Sequence, residues 1–286
     1  MQTRVVKTIA ELKTCVARAR RELQTIGFVP TMGALHGGHV SLIEAAAKRC
    51  DYVIVSIFVN PTQFGPGEDL DKYPRPFEKD VAVCGEHGVN AVFAPDVREM
   101  YPRENLTWVT VEKLTERLCS ESRPGHFRGV ATVCAKLFNI VCPDIAFFGQ
   151  KDAQQALVIR RMVVDLNMPL KIGICPTVRE PDGLAMSSRN QYLSPEERKH
   201  ATRVYESLER SRGLIEAGEK DADVISGQMC KVLQQMPATT IEYVSLCDAD
   251  TLEELQEVRG RVLVAVAVRM PSVRLIDNIV VDTPER

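Results

Sequence analysis

Apolar positions along the 286-residue chain recur with two periods. At the helical period, Leu12, Val16, Ala19 and Leu23 line one face of a helix over 11–23. Val40, Leu42, Ile43, Ala46 and Ala47 line a second helix. Further helices are predicted over 76–86, 130–141 and 152–166. Between them, short apolar runs at 26–29, 52–59, 89–94, 144–148 and 170–175 read as buried strands. Strands separated by helices of this length imply a parallel sheet covered on both faces. Such crossovers are right-handed, and ligands bind at the carboxyl ends of the strands.

The pattern changes after Pro181-Asp182-Gly183. Ser194-Pro195-Glu196-Glu197 is a helix start, with Ser as N-cap, Pro in the first position and Glu in the third. Two helices are expected to follow, then strands over 240–247, 261–269 and 273–281. Helices followed by clustered strands suggest a smaller α+β domain. The expected division is 1–185 and 186–286, the second part acting as a lid.

Composition narrows the class of function. A hydrophobic fraction of 45% and a charged fraction of 26% are those of an ordinary globular protein. A net charge of −2 argues against a nucleic-acid or membrane-surface footprint, and Arg18, Arg20 and Arg21 read as a solvated helix face. The nine cysteines contain no C-x-x-C pair, so neither a disulfide framework nor a zinc site is expected. Cys134, Cys142 and Cys175 sit in apolar runs and read as small core residues in a reducing compartment. The first residues carry no apolar signal-peptide core and no segment reaches transmembrane length, so a cytoplasmic location is expected.

Chemistry concentrates just beyond predicted strands. Gly27–His39, GFVPTMGALHGGH, runs from an apolar strand through a glycine-rich turn into a helix opened by His36 and His39. Backbone N–H groups, a positive helix end and two imidazoles on one helix face suit a polyphosphate. A packing turn with surface histidines competes with that reading. So does a two-histidine metal site, although the closest cysteine is Cys50 at the far end of the same helix. Asn60-Pro61-Thr62-Gln63-Phe64 offers neutral amides suited to a polar substrate, or simply a turn. In Phe148–Gln155, Lys151 opposes the helix dipole unless an anion is bound, whereas Asp152 suits a first-turn position. Beyond Thr177-Val178-Arg179, the run Met186-Ser187-Ser188-Arg189 places two hydroxyls before an arginine, either an oxyanion-binding set or a polar linker. Glu68, Asp69, Asp71 and Asp80 are acids that could support Mg²⁺. Together these segments suggest handling of a nucleoside triphosphate and displacement at phosphorus.

PTMGALHGGH, NPTQF, GQKDAQQ and PTVRE…GLAMSSRN, in this order and spacing, closely resemble the pantothenate synthetase (pantoate–β-alanine ligase) family, within the nucleotidylyltransferase superfamily marked by H-x-G-H. DKYPR and RPGHFRGV extend the resemblance over nearly the whole chain. Gly37 and Gln150 stand where glutamate is frequent or also occurs, which bears only on fine tuning of the loop. The resemblance implies a Rossmann-like parallel sheet and a homodimer that uses ATP and Mg²⁺ to join pantoate to β-alanine through pantoyl adenylate. It assigns ATP binding to Met32, Gly33, Ala34, Leu35, His36, Gly37, Gly38 and His39. Gly149, Gln150, Lys151, Asp152, Val178, Met186, Ser187, Ser188 and Arg189 join them, with His39, His36 and Lys151 carrying the chemistry. Gln63 and Gln155 would hold pantoate, with Gln63 also near β-alanine, and the metal ligands stay unassigned. The reactants qualify the role of the histidines. A carboxylate nucleophile and a pyrophosphate leaving group need no proton, so His36 and His39 are expected to act as hydrogen-bond donors to developing charge. Two other readings remain at this stage: an adenylyltransferase with a phosphorylated acceptor, and a non-catalytic nucleotide sensor.

Overall fold

The computed structural model describes residues 3–120 and 123–283, so the outermost residues of the two expected domains lie outside it. The chain forms β1 (Arg4–Val6), α1 (Ile9–Arg21), β2 (Ile26–Thr31), α2 (Gly37–Ala47) and β3 (Tyr52–Ile57). It continues through α3 (Phe77–Glu86), β4 (Ala91–Phe93), α4 (Val97–Met100), α5 (His126–Val141), β5 (Ile145–Gly149), α6 (Ala153–Asp165) and β6 (Lys171–Cys175). There follow α7 (Pro195–Ala201), α8 (Arg203–Glu216), α9 (Ala222–Leu233), β7 (Thr240–Asp248), β8 (Arg261–Arg269) and β9 (Arg274–Asp282).

Two compact units result. The first comprises Met1–Glu116, Ser120–Gln150 and Gln155–Pro176; the second comprises Arg117–Cys119, Lys151–Gln154 and Thr177–Arg286. The main crossing falls at Pro176–Thr177, ahead of the expected boundary after 185. Its cause is local. Arg179 is ion-paired with Asp277, and Arg198 holds Glu180 and Asp182, so 177–185 is tied to the second unit.

The first unit is a parallel sheet in the order β1-β4-β3-β2-β5-β6. From β2 the chain winds outward through β3 and β4, then returns to place β5 and β6 on the other side. The order therefore reverses between β2 and β5, the switch point where a doubly wound sheet opens a crevice at its carboxyl edge. Alternate side chains of β2 and β5 face opposite ways. Val29 and Phe147 pack in a cluster with Leu42, Ile43 and Ala46 of α2 and Cys84 of α3. Phe28 and Phe148 meet Phe138 of α5 edge-on. Helices thus cover both faces, as the alternating pattern requires. β1 escaped the sequence pattern because three residues carry no period; it is defined by its register on β4.

In the second unit, β7-β8-β9 form an antiparallel sheet. Val262, Val264, Val266 and Val268 share a core with Leu208 and Ile215 of α8 and Ile225, Met229 and Leu233 of α9. Where two helices were expected there are three, because the first run breaks at Thr202, which ends α7 and starts α8. The Ser194 helix start forms as predicted: Ser194 Oγ accepts from Glu197 N, and Glu197 Oε2 accepts from Ser194 N. The Ser272 hydroxyl, 2.7 Å from Glu197, and then the Ser194 N–H lower the Glu197 carboxyl to about 2. A depressed acid adds stability above its unfolded value of 4.5 and loses it as pH falls toward about 2. Glu197→Gln should therefore cost about 1 kcal/mol at neutral pH, a typical cap contribution for an exposed group. Thermal unfolding should show the two melting curves converging as pH drops below that window. A gap that stays constant with pH would refute the assignment.

The nine cysteines are all free. Cys134 and Cys175 are buried as expected, but Cys142 is exposed, a correction. It ends α5 in the left-handed region at φ 47°, outside the apolar face of the helix. No helix among the described residues is long and apolar enough to cross a membrane.

Candidate active site

The glycine-rich segment leaves β2 at Thr31, whose hydroxyl donates to Ser56 O of β3 at 2.7 Å and accepts from Gly33 N at 3.1 Å. Gly33 (φ 84°) and Ala34 (φ 51°) then turn through the left-handed region. A side chain at Gly33 would meet Asp80 Oδ2 at 2.9 Å, so only glycine fits. Asp80 is the fixed point of this turn: its two carboxylate oxygens accept from Ala34 N and Leu35 N, each at 2.8 Å. Burial in α3 pushes its carboxyl above the usual range, while the Leu35 and Ala34 N–H groups pull it back. From the sequence, Asp80 is one of four acids that could support Mg²⁺. The structure instead commits it to backbone. The overlooked signal was an acid one turn from Cys84 on the buried stripe of a helix.

The turn delivers the histidines to the start of α2. His36 is the N-cap, its Nδ1 accepting from Gly38 N at 3.1 Å, while His39 Nδ1 accepts from His36 N at 3.4 Å. The rings lie 4.2 Å apart, tilted by 45°. A nitrogen that accepts carries no proton, so each neutral imidazole holds its hydrogen on Nε2. Both rings therefore present an N–H donor at their outer ends.

The turn after β3 is built beside this loop. Asn60, fully buried, donates from Nδ2 to Gln63 Oε1 at 3.1 Å and to Gly129 O at 3.3 Å. Its Oδ1 accepts from the hydroxyls of Tyr101 and Thr62, each at 3.0 Å. Gln63 Nε2 lies 3.1 Å from Met32 Sδ, which joins the NPTQF turn to the histidine loop. Its backbone carbonyl is bonded by His126 Nδ1 at 2.8 Å. Gly129 of α5 packs directly on this turn; a side chain there would land on the Thr62 carbonyl and 2.7 Å from Gln63 Cα. Gly129→Ala is expected to displace Gln63 and destabilise the chain by about 2 kcal/mol. Calorimetry should read a melting point lower by about 5 °C. An unchanged melting point would show that α5 and the turn separate freely. Gln155, half-buried in the first turn of α6, is not among the groups tied together by these bonds.

Gln150–Asp152 form a 3-10 turn before α6, with Lys151 and Asp152 assigned to the second unit. Lys151 Nζ lies 3.7 Å from Asp152 Oδ1, and its carbonyl accepts from Asn278 Nδ2 at 2.8 Å. The stretch that had read as a possible polar linker is a hairpin. Met186 N donates to Val178 O at 3.0 Å, Glu180 N to Leu184 O at 2.8 Å, and Gly183 (φ 92°) makes the turn. Arg179 anchors it, bidentate on buried Asp277 and stacked 3.9 Å over the Tyr205 ring. Ser187 Oγ accepts from Arg189 N at 3.2 Å and so starts the turn holding Ser188 and Arg189. Glu68, the other acid of note, is paired with Arg123. Among the described residues no three His, Cys, Asp or Glu side chains form a metal-ligating cluster.

The family model for pantoate–β-alanine ligase matches residues 4–280. The chain belongs to the pantoate–β-alanine ligase family. Its relatives include the pantothenate synthetases of Moorella thermoacetica, 56% identical over 97% of this chain and 98% of that protein, and Acetivibrio thermocellus, 54% identical over 98% and 99%. The solved pantothenate synthetase of Thermus thermophilus superposes with a TM-score of 0.93 at 46% identity, covering 97% of this chain and 99% of that one. A Francisella tularensis pantoate–β-alanine ligase, solved with a β-γ ATP compound and β-alanine, gives 0.80 at 33% identity, covering 97% of each chain. The whole chain is thus an enzyme of this ligase family, with the nucleotidylyltransferase-type sheet and small antiparallel unit of its relatives.

Proposed function

We propose that the chain condenses (R)-pantoate with β-alanine in two ATP-dependent steps. A pantoate carboxylate oxygen attacks the α-phosphorus of ATP. The bond to the bridging oxygen breaks, and its electrons leave with pyrophosphate. The β-alanine amine then attacks the acyl carbon of pantoyl adenylate, the acyl–oxygen bond breaks, AMP departs and the ammonium loses a proton. Membership of the family and the nucleotide and β-alanine in the Francisella enzyme support the overall reaction.

The residue roles are those the family resemblance implies. Met32, Gly33, Ala34, Leu35, His36, Gly37, Gly38 and His39 surround the triphosphate. The observation that carries this assignment is the paired Nδ1 acceptors, which leave the ring hydrogen of each neutral imidazole on Nε2. Donors preset on a rigid turn stabilise charge as it develops, without reorganising. Lys151 supplies a cation for the departing pyrophosphate. Gly149, Gln150 and Asp152 flank it. Val178 and Met186 hold the adenine side, while Ser187, Ser188 and Arg189 take phosphate oxygens. Gln63 and Gln155 orient pantoate through neutral amides, and Gln63 also meets β-alanine. Mg²⁺, as the counterion of the ATP substrate, would supply neutralising charge at the phosphates. A cytoplasmic homodimer is the assembly that the family resemblance supports, with residues from 186 onward serving as the lid.

Pantoate-dependent exchange of labelled pyrophosphate into ATP tests the reading. Exchange should require pantoate and occur without β-alanine. No exchange would indicate a nucleotide sensor, and exchange that needs a phosphorylated acceptor instead would indicate an adenylyltransferase.

A further inference from the structure

Lys151 lies just past the end of β5, yet it clusters with the second unit. Two adjacent residues of β9 explain why. Asn278 donates from Nδ2 to the Lys151 carbonyl at 2.8 Å. Asp277, the residue before it, grips the Arg179 guanidinium with both oxygens, and its Oδ1 also accepts from Asn278 N at 2.8 Å. Both side chains are buried, each 4% exposed. Neighbouring strand residues point to opposite faces, so two adjacent positions on β9 reach two separate pieces of chain. One is the peptide that carries Lys151; the other is the hairpin from Val178 to Met186. A second tie holds the same peptide further along: Gln154 Nε2 donates to Arg117 O at 2.6 Å, and Cys119 N donates to Gln154 Oε1 at 3.1 Å.

We propose that Asn278 is a positioning residue for adenylation, registering the Lys151 peptide against the adenine-side hairpin through its neighbour Asp277. The inference rests on Lys151 acting in the first half-reaction. A flexible four-carbon side chain is only as well placed as its backbone. The carbonyl tether holds that backbone at a fixed distance from Arg179, and hence from the hairpin that Arg179 anchors. Asn278 touches no reacting atom; it acts through Lys151. The Arg179–Asp277 pair makes the registration rigid, since a bidentate contact fixes both distance and plane. Removing the tether leaves Lys151 present but loosely aimed, and misplacements near 1 Å cost up to about 100-fold in rate.

The test measures the two half-reactions separately on the full chain. Asn278→Ala should lower pantoate-dependent pyrophosphate exchange about 30-fold. The KM for ATP, and the rate at which preformed pantoyl adenylate reacts with β-alanine, should stay within about threefold of wild type. In a Lys151→Ala background the same substitution should add less than about threefold, because residues acting through one another are not additive. Wild-type exchange, equal loss in both half-reactions, or full additivity in the double variant would each overturn the proposal. Asn278→Ser, a small polar replacement that falls short of the Lys151 carbonyl, serves if the alanine variant does not fold, with the same outcomes. Wild-type exchange in Lys151→Ala alone would instead overturn the role of Lys151, a result visible without touching Asn278.

Discussion

Lys151→Ala is expected to lower pantoate-dependent pyrophosphate exchange about 1,000-fold, while the reaction of preformed pantoyl adenylate with β-alanine stays within about tenfold of wild type. The expectation starts from placement. Lys151 precedes the first turn of α6, where the helix end is already positive, so a cation there is unfavourable until an anion arrives. Asp152 offsets part of this at 3.7 Å, but it is half-exposed and too distant for a tight pair. The Lys151 side chain is four-fifths buried, and low exposure strengthens the field of its charge on a bound phosphate. Charge moves furthest during loss of pyrophosphate, so the first half-reaction should carry the penalty. The second expels AMP, whose phosphate charge changes less. Rapid-quench measurement of each half-reaction decides the matter, and comparable losses in both would sink the assignment.

The second large effect concerns the histidines, where the ring nitrogens allow a cleaner separation than alanine alone. His36→Ala removes an N-cap and an outward donor together. His36→Asn keeps an acceptor close to the Nδ1 position, and so the cap, but lacks the reach of Nε2. His36→Gln and His39→Gln restore a neutral donor near Nε2. Exchange should fall about 100-fold or more in the alanine variants and in His36→Asn. The asparagine variant should nonetheless melt with the wild type. Glutamine should recover about tenfold over alanine at either position. If both glutamine variants were as inactive as alanine, an account based on hydrogen-bond donation would fail and proton transfer by the histidines would be the better account.

Much of this was legible in the sequence, for reasons that differ by element. Helices and strands of the first unit follow from long apolar stripes and buried runs, and the Ser194 start from a four-residue motif whose bonds are all local. The turn around His36 was legible because its glycines and histidines are contiguous. What stayed hidden depends on partners far apart in sequence. Asp80 is defined by amides 45 and 46 residues away. Gly129 matters because the backbone at Thr62 arrives on top of it, and Asn278 because its partner lies 127 residues earlier. No period or local motif encodes such meetings. Cys142 was misread for a simpler reason: an apolar neighbourhood in sequence says nothing about a residue that leaves its helix with a positive φ.

The interleaving of the two units limits how the chain can be cut or exchanged. Arg117–Cys119 and Lys151–Gln154 precede the main crossing at Pro176 yet belong to the unit that follows it. A gene split at that crossing would encode Lys151 on one product and its anchor Asn278 on the other, and would part Arg117 from the Leu252 carbonyl it bonds at 2.6 Å. The units are therefore not cassettes. Recombination between relatives, or a designer grafting one unit onto another, has to carry three separate stretches of sequence at once.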